Sequence, residues 1–220
     1  FFKDAKKVLT NHNIWNITPN SIQKYINIGL SNKELETPKK GDPIFLKVKN
    51  TLIGSNMICL QHLKDYCNSN KINSSIWKTN LEEDVKNLAK KFVKDLKKNR
   101  FKKPIILISG GESTVNIKGK GKGGRNQEFS LHLSIELKKN FPFQKYSLLS
   151  VGTDGKDGPT DAAGAILNQK SIDLIKKKGI KLETELLNNN SYEVLHKIKS
   201  LVIMNGTNTN VADVQLLALI

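Results

Sequence analysis

The sequence predicts an α/β fold, and three observations carry that prediction. Short apolar runs at residues 105–109 and 147–151 have the length of buried strands, far short of the roughly 20 residues a membrane-crossing helix needs. Amphipathic stretches lie between such runs, with apolar residues every three or four positions, as in Leu81, Val85, Leu88, Phe92 and Leu96. Several strand-like runs end in glycine-rich polar sequence, which is where α/β sheets build their sites. At 220 residues and 38% hydrophobic content, the chain can form one large domain or two small ones and is too apolar for a disordered tail.

Residues 2–9 read as a short helix, broken at 11–16. Thr18 and Pro19 open a second helix as N-cap and first helical residue, with Ile22, Tyr25, Ile26 and Leu30 as its apolar stripe. Lysines, Gly41, Asp42 and two prolines make 31–43 a loop. Residues 47–55 alternate as a strand, which turns at Gly54, Ser55 and Asn56 into a helix over 56–69 with Leu60, Leu63 and Tyr66 inward. A strand at 75–79 and a lysine-rich helix at 80–98 follow, so the first hundred residues read as a parallel α/β layer with few strands. That low count, and a start at Phe1, lead to the expectation that the chain is part of something longer. Residues 99–103 form a basic bridge and the expected domain boundary. Beyond it, strands are expected at 105–109, 114–118, 146–151 and 201–204. Helices are expected at 127–139, 171–178 and 192–197, with Phe129, Leu133 and Leu137 on one face of the first. The small residues of 162–165 and an amphipathic or strand-like end from 210 complete the chain.

The formal net charge is +16, yet only Arg100 and Arg125 among the 36 basic residues are arginine. The lysines are dispersed and asparagine is abundant, the pattern of a solvated surface. A nucleic-acid-binding stripe would interleave aromatics with its cations. Aromatics make up only 6% of the chain, so no nucleic-acid partner is expected, and a basic nucleic-acid-binding protein is left as the lesser rival reading. Cys59 and Cys67 fit no metal-ligand spacing, and His12, His62, His132 and His196 are scattered. Few cysteines, no leader-like start and no long apolar run lead to the expectation of a cytoplasmic protein with no membrane partner.

The most informative segment is 119–126. Gly119, Gly121, Gly123 and Gly124 alternate there with Lys120, Lys122 and Arg125, followed by Asn126, Gln127 and Glu128 at the start of a helix. Glycines can turn backbone N–H groups toward a ligand, and the cations and the helix dipole favour an anion. A glycine-rich surface hairpin is the plainer alternative. Arg125 stands out because its planar fork grips carboxylate or phosphate oxygens at two points, which lysine does not. No Lys-Ser/Thr ending makes the loop a P-loop. Gly119, Gly121 and Gly124 fit the dinucleotide pattern, but about 20 residues on the chain offers Gln144, Lys145 and Tyr146 in place of the expected acid. An NAD(P)H-dependent reductase stays open as a rival on that pattern.

A second segment follows the 146–151 strand, with Thr153, Asp154, Gly155, Asp157, Gly158, Thr160 and Asp161. Its aspartates are candidates to hold Mg²⁺, Asp154 and Asp157 first, or to orient a hydroxyl. A turn capped by carboxylate or hydroxyl is the alternative. Gly110, Gly111 and Glu112 after one strand, and Ser55 and Asn56 at another junction, either cradle an oxyanion or make bends.

Three of these segments together resemble the MOFRL domain of the glycerate 2-kinases, enzymes also described as hydroxypyruvate reductases. They are SGGESTV from Ser109 to Val115, GKGKGGRNQEF from Gly119 to Phe129, and GTDGKDGPTDAAGA from Gly152 to Ala165. Glu36 to Lys39, Gly41 to Pro43 and Ile53 to Asn56 extend the likeness to the end of the preceding kinase domain. The resemblance implies the C-terminal part of a Rossmann-like domain over 1–100 and a smaller α/β MOFRL domain over 101–220. It implies ATP-dependent phosphorylation of glycerate to 2-phosphoglycerate with Mg²⁺, and it leaves a homodimer open. The arginine of the GGRNQE motif, a proposed active-site residue, falls on Arg125. A lysine and an aspartate of the N-terminal domain are also implicated, and the segments carrying them have no match here. Two departures stand out. The family's Asn-Asp-Ser-Tyr is Asn189 to Tyr192 here, without its carboxylate, and its Thr-Gly-Pro-Thr-Gly-Thr-Asn-Val becomes the run from Met204 to Val211.

Overall fold

Side chains alternate across a strand, so the four consecutive aliphatic residues 105–108 require cover on both faces. The computed structural model, which describes residues 1–99 and 101–220, supplies it. One six-stranded mixed sheet runs in the order β1 (Ser74–Leu81), β2 (Ile105–Gly111), β6 (Asp213–Leu219), β3 (Tyr146–Gly152), β4 (Ala162–Asn168) and β5 (Leu201–Ile203). β1 and β2 are parallel, and β6 lies antiparallel between β2 and β3. Ile105 and Leu107 face α4 (Val85–Lys98) and α5 (Arg125–Asn140) in a core that also holds Phe92, Phe129, Leu148 and Leu217. Ile108 and Val214 face Leu60 and Cys67 of α3 (Asn56–Ser69) on the other side. A third cluster joins Leu131 of α5 and Leu167 of β4 to Ile175, Leu186 and Val194, which lie on α6 (Ser171–Lys177), α7 (Leu182–Leu187) and α8 (Ser191–Lys197).

Two compact units divide the chain, Phe1–Leu52 and Ile53–Ile220. The first holds α1 (Phe2–Asn11) and α2 (Asn20–Ser31) with short 3₁₀ turns, and the Phe2 ring meets the Tyr25 ring edge-on at 5.5 Å. The second holds the whole sheet, so β1 joins the strands that follow residue 100.

Several expectations are corrected. The sheet is mixed, because the 210–220 end supplies a central antiparallel strand. Residues 47–55 form no strand, and Leu52 and Ile53 are exposed. Residues 114–118 form only one bridge, from Thr114 to Asp84. Leu81 ends β1, and α4 starts at Val85 with Asp84 accepting from the Lys86 and Asn87 N–H groups. Thr18 does not cap α2; its hydroxyl donates to the Ile14 carbonyl. Tyr25 and Tyr66 are exposed, and only Ile26 and Gly29 of α2 are buried. The helix α7, preceding three asparagines, had no expectation behind it.

Leu148 is fully buried, so Leu148→Ala is expected to lower stability by about 2–5 kcal/mol, while Ile53→Ala, at a residue 94% exposed, changes it by less than about 0.5 kcal/mol. Urea unfolding of the two variants checks the contrast.

Candidate functional site

The register places Gly111 of β2, Asp213 of β6 and Gly152 of β3 side by side in one row. Loops leaving that row carry most of the sequence-predicted residues. Asp213 is 0% exposed, and a carboxylate so buried needs a cation. Arg125, the first residue of α5, supplies it. Its Nε donates to Asp213 Oδ2 at 2.6 Å and its Nη2 to Oδ1 at 3.0 Å, a two-point clamp. Its Nη1 lies 3.2 Å from Oε1 of the exposed Glu112. The bond to Asp213 raises the already high Arg125 pKa further, so the guanidinium stays charged. Burial pushes Asp213 up while the two Arg125 bonds pull the other way.

The N-terminus of α5 is already occupied by a carboxylate. Asp157, buried, accepts from the Asn126 N–H at 3.1 Å and the Gln127 N–H at 2.9 Å, one with each oxygen. A carboxylate answers the unpaired N–H groups and the dipole of a helix start. Burial raises the Asp157 pKa and those two bonds oppose the rise. Gly124 permits this approach, because a Cβ there would stand 2.3 Å from the Asp157 carboxyl carbon. Asn126 accepts from the Ser150 hydroxyl at 2.6 Å, and Gln127 donates to Thr160 Oγ1 at 3.1 Å. Thr160 in turn donates to the Asp157 carbonyl at 2.7 Å. Asn126, Gln127, Asp157 and Thr160 therefore assemble the cap, the plainer of the readings weighed for the 153–161 segment.

The glycine loop is likewise not an open cradle along its first half. The side-chain oxygen of Asn189 accepts from the N–H groups of Lys118 at 2.7 Å and Gly119 at 3.0 Å. Asn188 Oδ1 takes the Lys120 N–H, the Asn188 carbonyl takes Gly121, and Asn190 Oδ1 takes Lys122. A Cβ on Gly119 would meet the Asn188 backbone at 2.3 Å, so the glycines serve close packing on the asparagine turn. Among the described residues, the N–H groups of Gly123, Gly124 and Arg125 have no hydrogen-bond partner. Only this last stretch, beside the Arg125 fork, keeps donors for an anion. The dinucleotide pattern also lacks the preceding strand it requires.

The other predicted residues are dispersed. Gly110 and Asn56 meet across the row: Asn56 Nδ2 donates to the Val211 and Asp213 carbonyls at 2.8 and 2.9 Å, and Ser55 Oγ accepts from the Ile58 N–H as the α3 cap. Thr153 donates to the Ala212 carbonyl at 2.7 Å, so both sides of the Asp213 turn are tied down. Asp154 accepts from the Lys156 N–H and from Asn210, Gly155 follows it in the turn, and Gly158 packs on the Gly123 carbonyl. Asp161 is exposed, and the neighbouring Tyr192 hydroxyl lowers its pKa. Lys120 is exposed, while Glu128 lies buried one turn into α5, with Oε1 accepting from Asn189 Nδ2 at 2.9 Å. Asp154, Asp157 and Asp161 do not form a metal-ligand set. Both Asp157 oxygens are engaged by the helix, and among the described residues no three His, Cys, Asp or Glu side chains converge to hold a metal.

Sequence reasoning missed Asp213 and the Asn188–Asn190 turn. The run of three asparagines and the lone acid ahead of an apolar strand were the available signals.

Fold and site define an α/β domain that presents a carboxylate-clamped arginine at its strand ends. Residues 105–213 match the MOFRL family, and the chain carries a MOFRL family domain. A glycerate 2-kinase of Pyrococcus horikoshii is 35% identical over 97% of this chain and 48% of the relative. A D-glycerate 2-kinase of Thermotoga maritima is 35% identical over 96% of this chain and 48% of the relative. The crystal structure of a glycerate kinase from Thermotoga maritima superposes with a TM-score of 0.77 at 33% identity, covering 100% of this chain and 50% of that one. The chain thus spans about half the length of the curated relatives it matches.

Two outcomes are expected from this geometry. Asn189→Ala removes the acceptor of the Lys118 and Gly119 N–H groups, so trypsin should cut at Lys118, Lys120 and Lys122 several-fold faster in limited proteolysis. His132, half-buried on α5, has its pKa lowered from 6.5 to about 4 by burial and by nearby Lys86 and Lys90. The unfolded chain takes up the proton first, so the contribution is complete above pH 6.5 and is lost as pH falls toward 4. The urea midpoint should fall across that window, and less so in His132→Gln.

Proposed function

We propose that this chain forms part of an ATP-dependent glycerate 2-kinase, which converts glycerate to 2-phosphoglycerate. The observation that carries the reading is the Arg125 fork, fixed by buried Asp213 at the strand ends and turned by Nη1 toward solvent-exposed Glu112. The names of the relatives from Pyrococcus horikoshii and Thermotoga maritima support it, as do the mouse glycerate kinase and others matched over about half of this chain. The other half of the Pyrococcus horikoshii and Thermotoga maritima relatives has no counterpart in these 220 residues, so the reading concerns the longer enzyme. A division into the end of its Rossmann-like domain over 1–100 and the MOFRL domain over 101–220 stays a reading of the sequence: β1 and α4 share one sheet and core with the strands beyond residue 104, and the compact units divide at Leu52. A reducing cytoplasmic setting fits the two free cysteines, Cys59 and Cys67.

Phosphoryl transfer asks for alignment and charge neutralisation more than covalent chemistry. Arg125 meets both needs: Asp213 fixes its plane, and an arriving carboxylate or phosphoryl oxygen displaces Glu112 from Nη1. The N–H groups of Gly123, Gly124 and Arg125 add donors at the same place. ATP is the phosphate donor in this reading and Mg²⁺ accompanies it. Asp154 and Asp157 do not fit as its ligands, because the oxygens of both already accept hydrogen bonds within the chain.

A coupled assay of glycerate phosphorylation tests the proposal. In the full-length enzyme, Arg125→Lys should lower kcat/KM by about a hundredfold or more, because lysine keeps the charge and loses the fork. Near-wild-type turnover would remove Arg125 from the site. Hydroxypyruvate-dependent oxidation of NAD(P)H would instead favour the reductase.

A further inference from the structure

A cavity of about 650 Å³ opens beside the α5 helix, and Arg125 does not line it. That volume is within the range of roughly 300–1,000 Å³ typical of small-molecule sites. Its walls are the first turn of α4, the 114–118 segment, α5 and α7. Four carboxylates line it, from Asp84, Glu128, Glu136 and Glu183, in a chain whose net charge is +16. None of the four takes part in an ion pair among the described residues.

Glu128 is the centre of this arrangement. Its side chain is 4% exposed, one oxygen accepts from Asn189, and among the described residues the other oxygen has no partner. Burial pushes the Glu128 pKa up, and a carboxyl group held by an amide and by no ion pair is stabilised as its charged form by a cation brought to it. His132 stands one turn further along and is neutral at physiological pH, so it does not supply that charge. The two lysines that line the cavity, Lys86 and Lys118, are exposed. Val115, Ile135 and Leu186 give the cavity an apolar wall. No three metal-ligating side chains converge among the described residues, so a bare metal ion does not fit. A polyphosphate would bring its own negative charge against four carboxylates.

We propose that this cavity binds a small organic ammonium ion, with its nitrogen on Glu128 and its hydrocarbon part on the Val115, Ile135 and Leu186 wall. The occupant would also touch the network of Asn189, the residue that shapes the glycine loop through the Lys118 and Gly119 N–H groups. The inference is independent of the kinase reading.

Titration of the 220-residue chain with n-butylammonium, 1-butanol and butyrate at matched ionic strength tests it, read by amide NMR shifts and calorimetry. Only the amine should bind saturably, shifting amides of the 114–118 segment and α5. Glu128→Gln should weaken binding about tenfold, the loss of one charge-assisted hydrogen bond. Should that variant fail to fold, Leu187→Lys places a cation beside the cavity at a residue 70% exposed and should weaken the amine similarly. No saturable binding of butylammonium, equal binding of 1-butanol, or unchanged affinity in the folded variants overturns the proposal.

Discussion

Asp213 is a fully buried carboxylate, and water cannot reach it to stabilise its charge. The Arg125 fork must therefore accompany it, and that requirement organises the surrounding structure. Arg125 can reach Asp213 only because α5 begins where the β6 strand begins, and α5 begins there because Asp157 accepts its first free N–H groups. Asn56 and Thr153 hold the approach to Asp213 from either side through backbone carbonyls. Removing one member of a buried ion pair typically costs about 3–5 kcal/mol, since the survivor stays buried without compensation. The pair thus ties the start of the central strand β6, the helix start and the proposed substrate contact into one unit.

Polar groups elsewhere near the site are similarly committed to one another. The first N–H groups of a glycine-rich loop would be free anion donors in isolation, yet three consecutive asparagines absorb them. What stays available is a short stretch from Gly123 to Arg125. The charge proposed to meet the substrate is accordingly concentrated on one guanidinium, while Lys120 is exposed.

Much of the fold was legible because its signals are local. The apolar runs gave β2 and β3, and the stripe of Phe129, Leu133 and Leu137 gave the buried face of α5. Arg125 was legible as an arginine among lysines at a loop-to-helix junction. The failures share a physical cause: they turn on long-range partners. Residues 114–118 alternate like a strand, but no neighbour offers a ladder beyond the Asp84 bridge. Asp157 looked like a metal ligand because nothing local shows that α5 will close over it from 30 residues away. Asp213 was missed because its partner lies 88 residues upstream. Glu128 was grouped with the anion-binding motif by sequence proximity, whereas one turn of helix carries it into a separate cavity.

The position of β6 has a consequence for how the chain reaches this state. The latest of the six strands in sequence lies in the interior of the sheet, pairing Ile105 with Leu219 on one side and Tyr146 with Leu219 on the other. Until β6 arrives, β2 and β3 have no ladder between them and each presents an unpaired apolar edge. Closing so long a loop is entropically slow, and exposed strand edges are sites of self-association. During synthesis the β3–β4 hairpin and the β1–β2 pair can form early as separate halves. Their union, and with it the burial of Asp213 against Arg125, waits on β6, the latest of the six strands to be made.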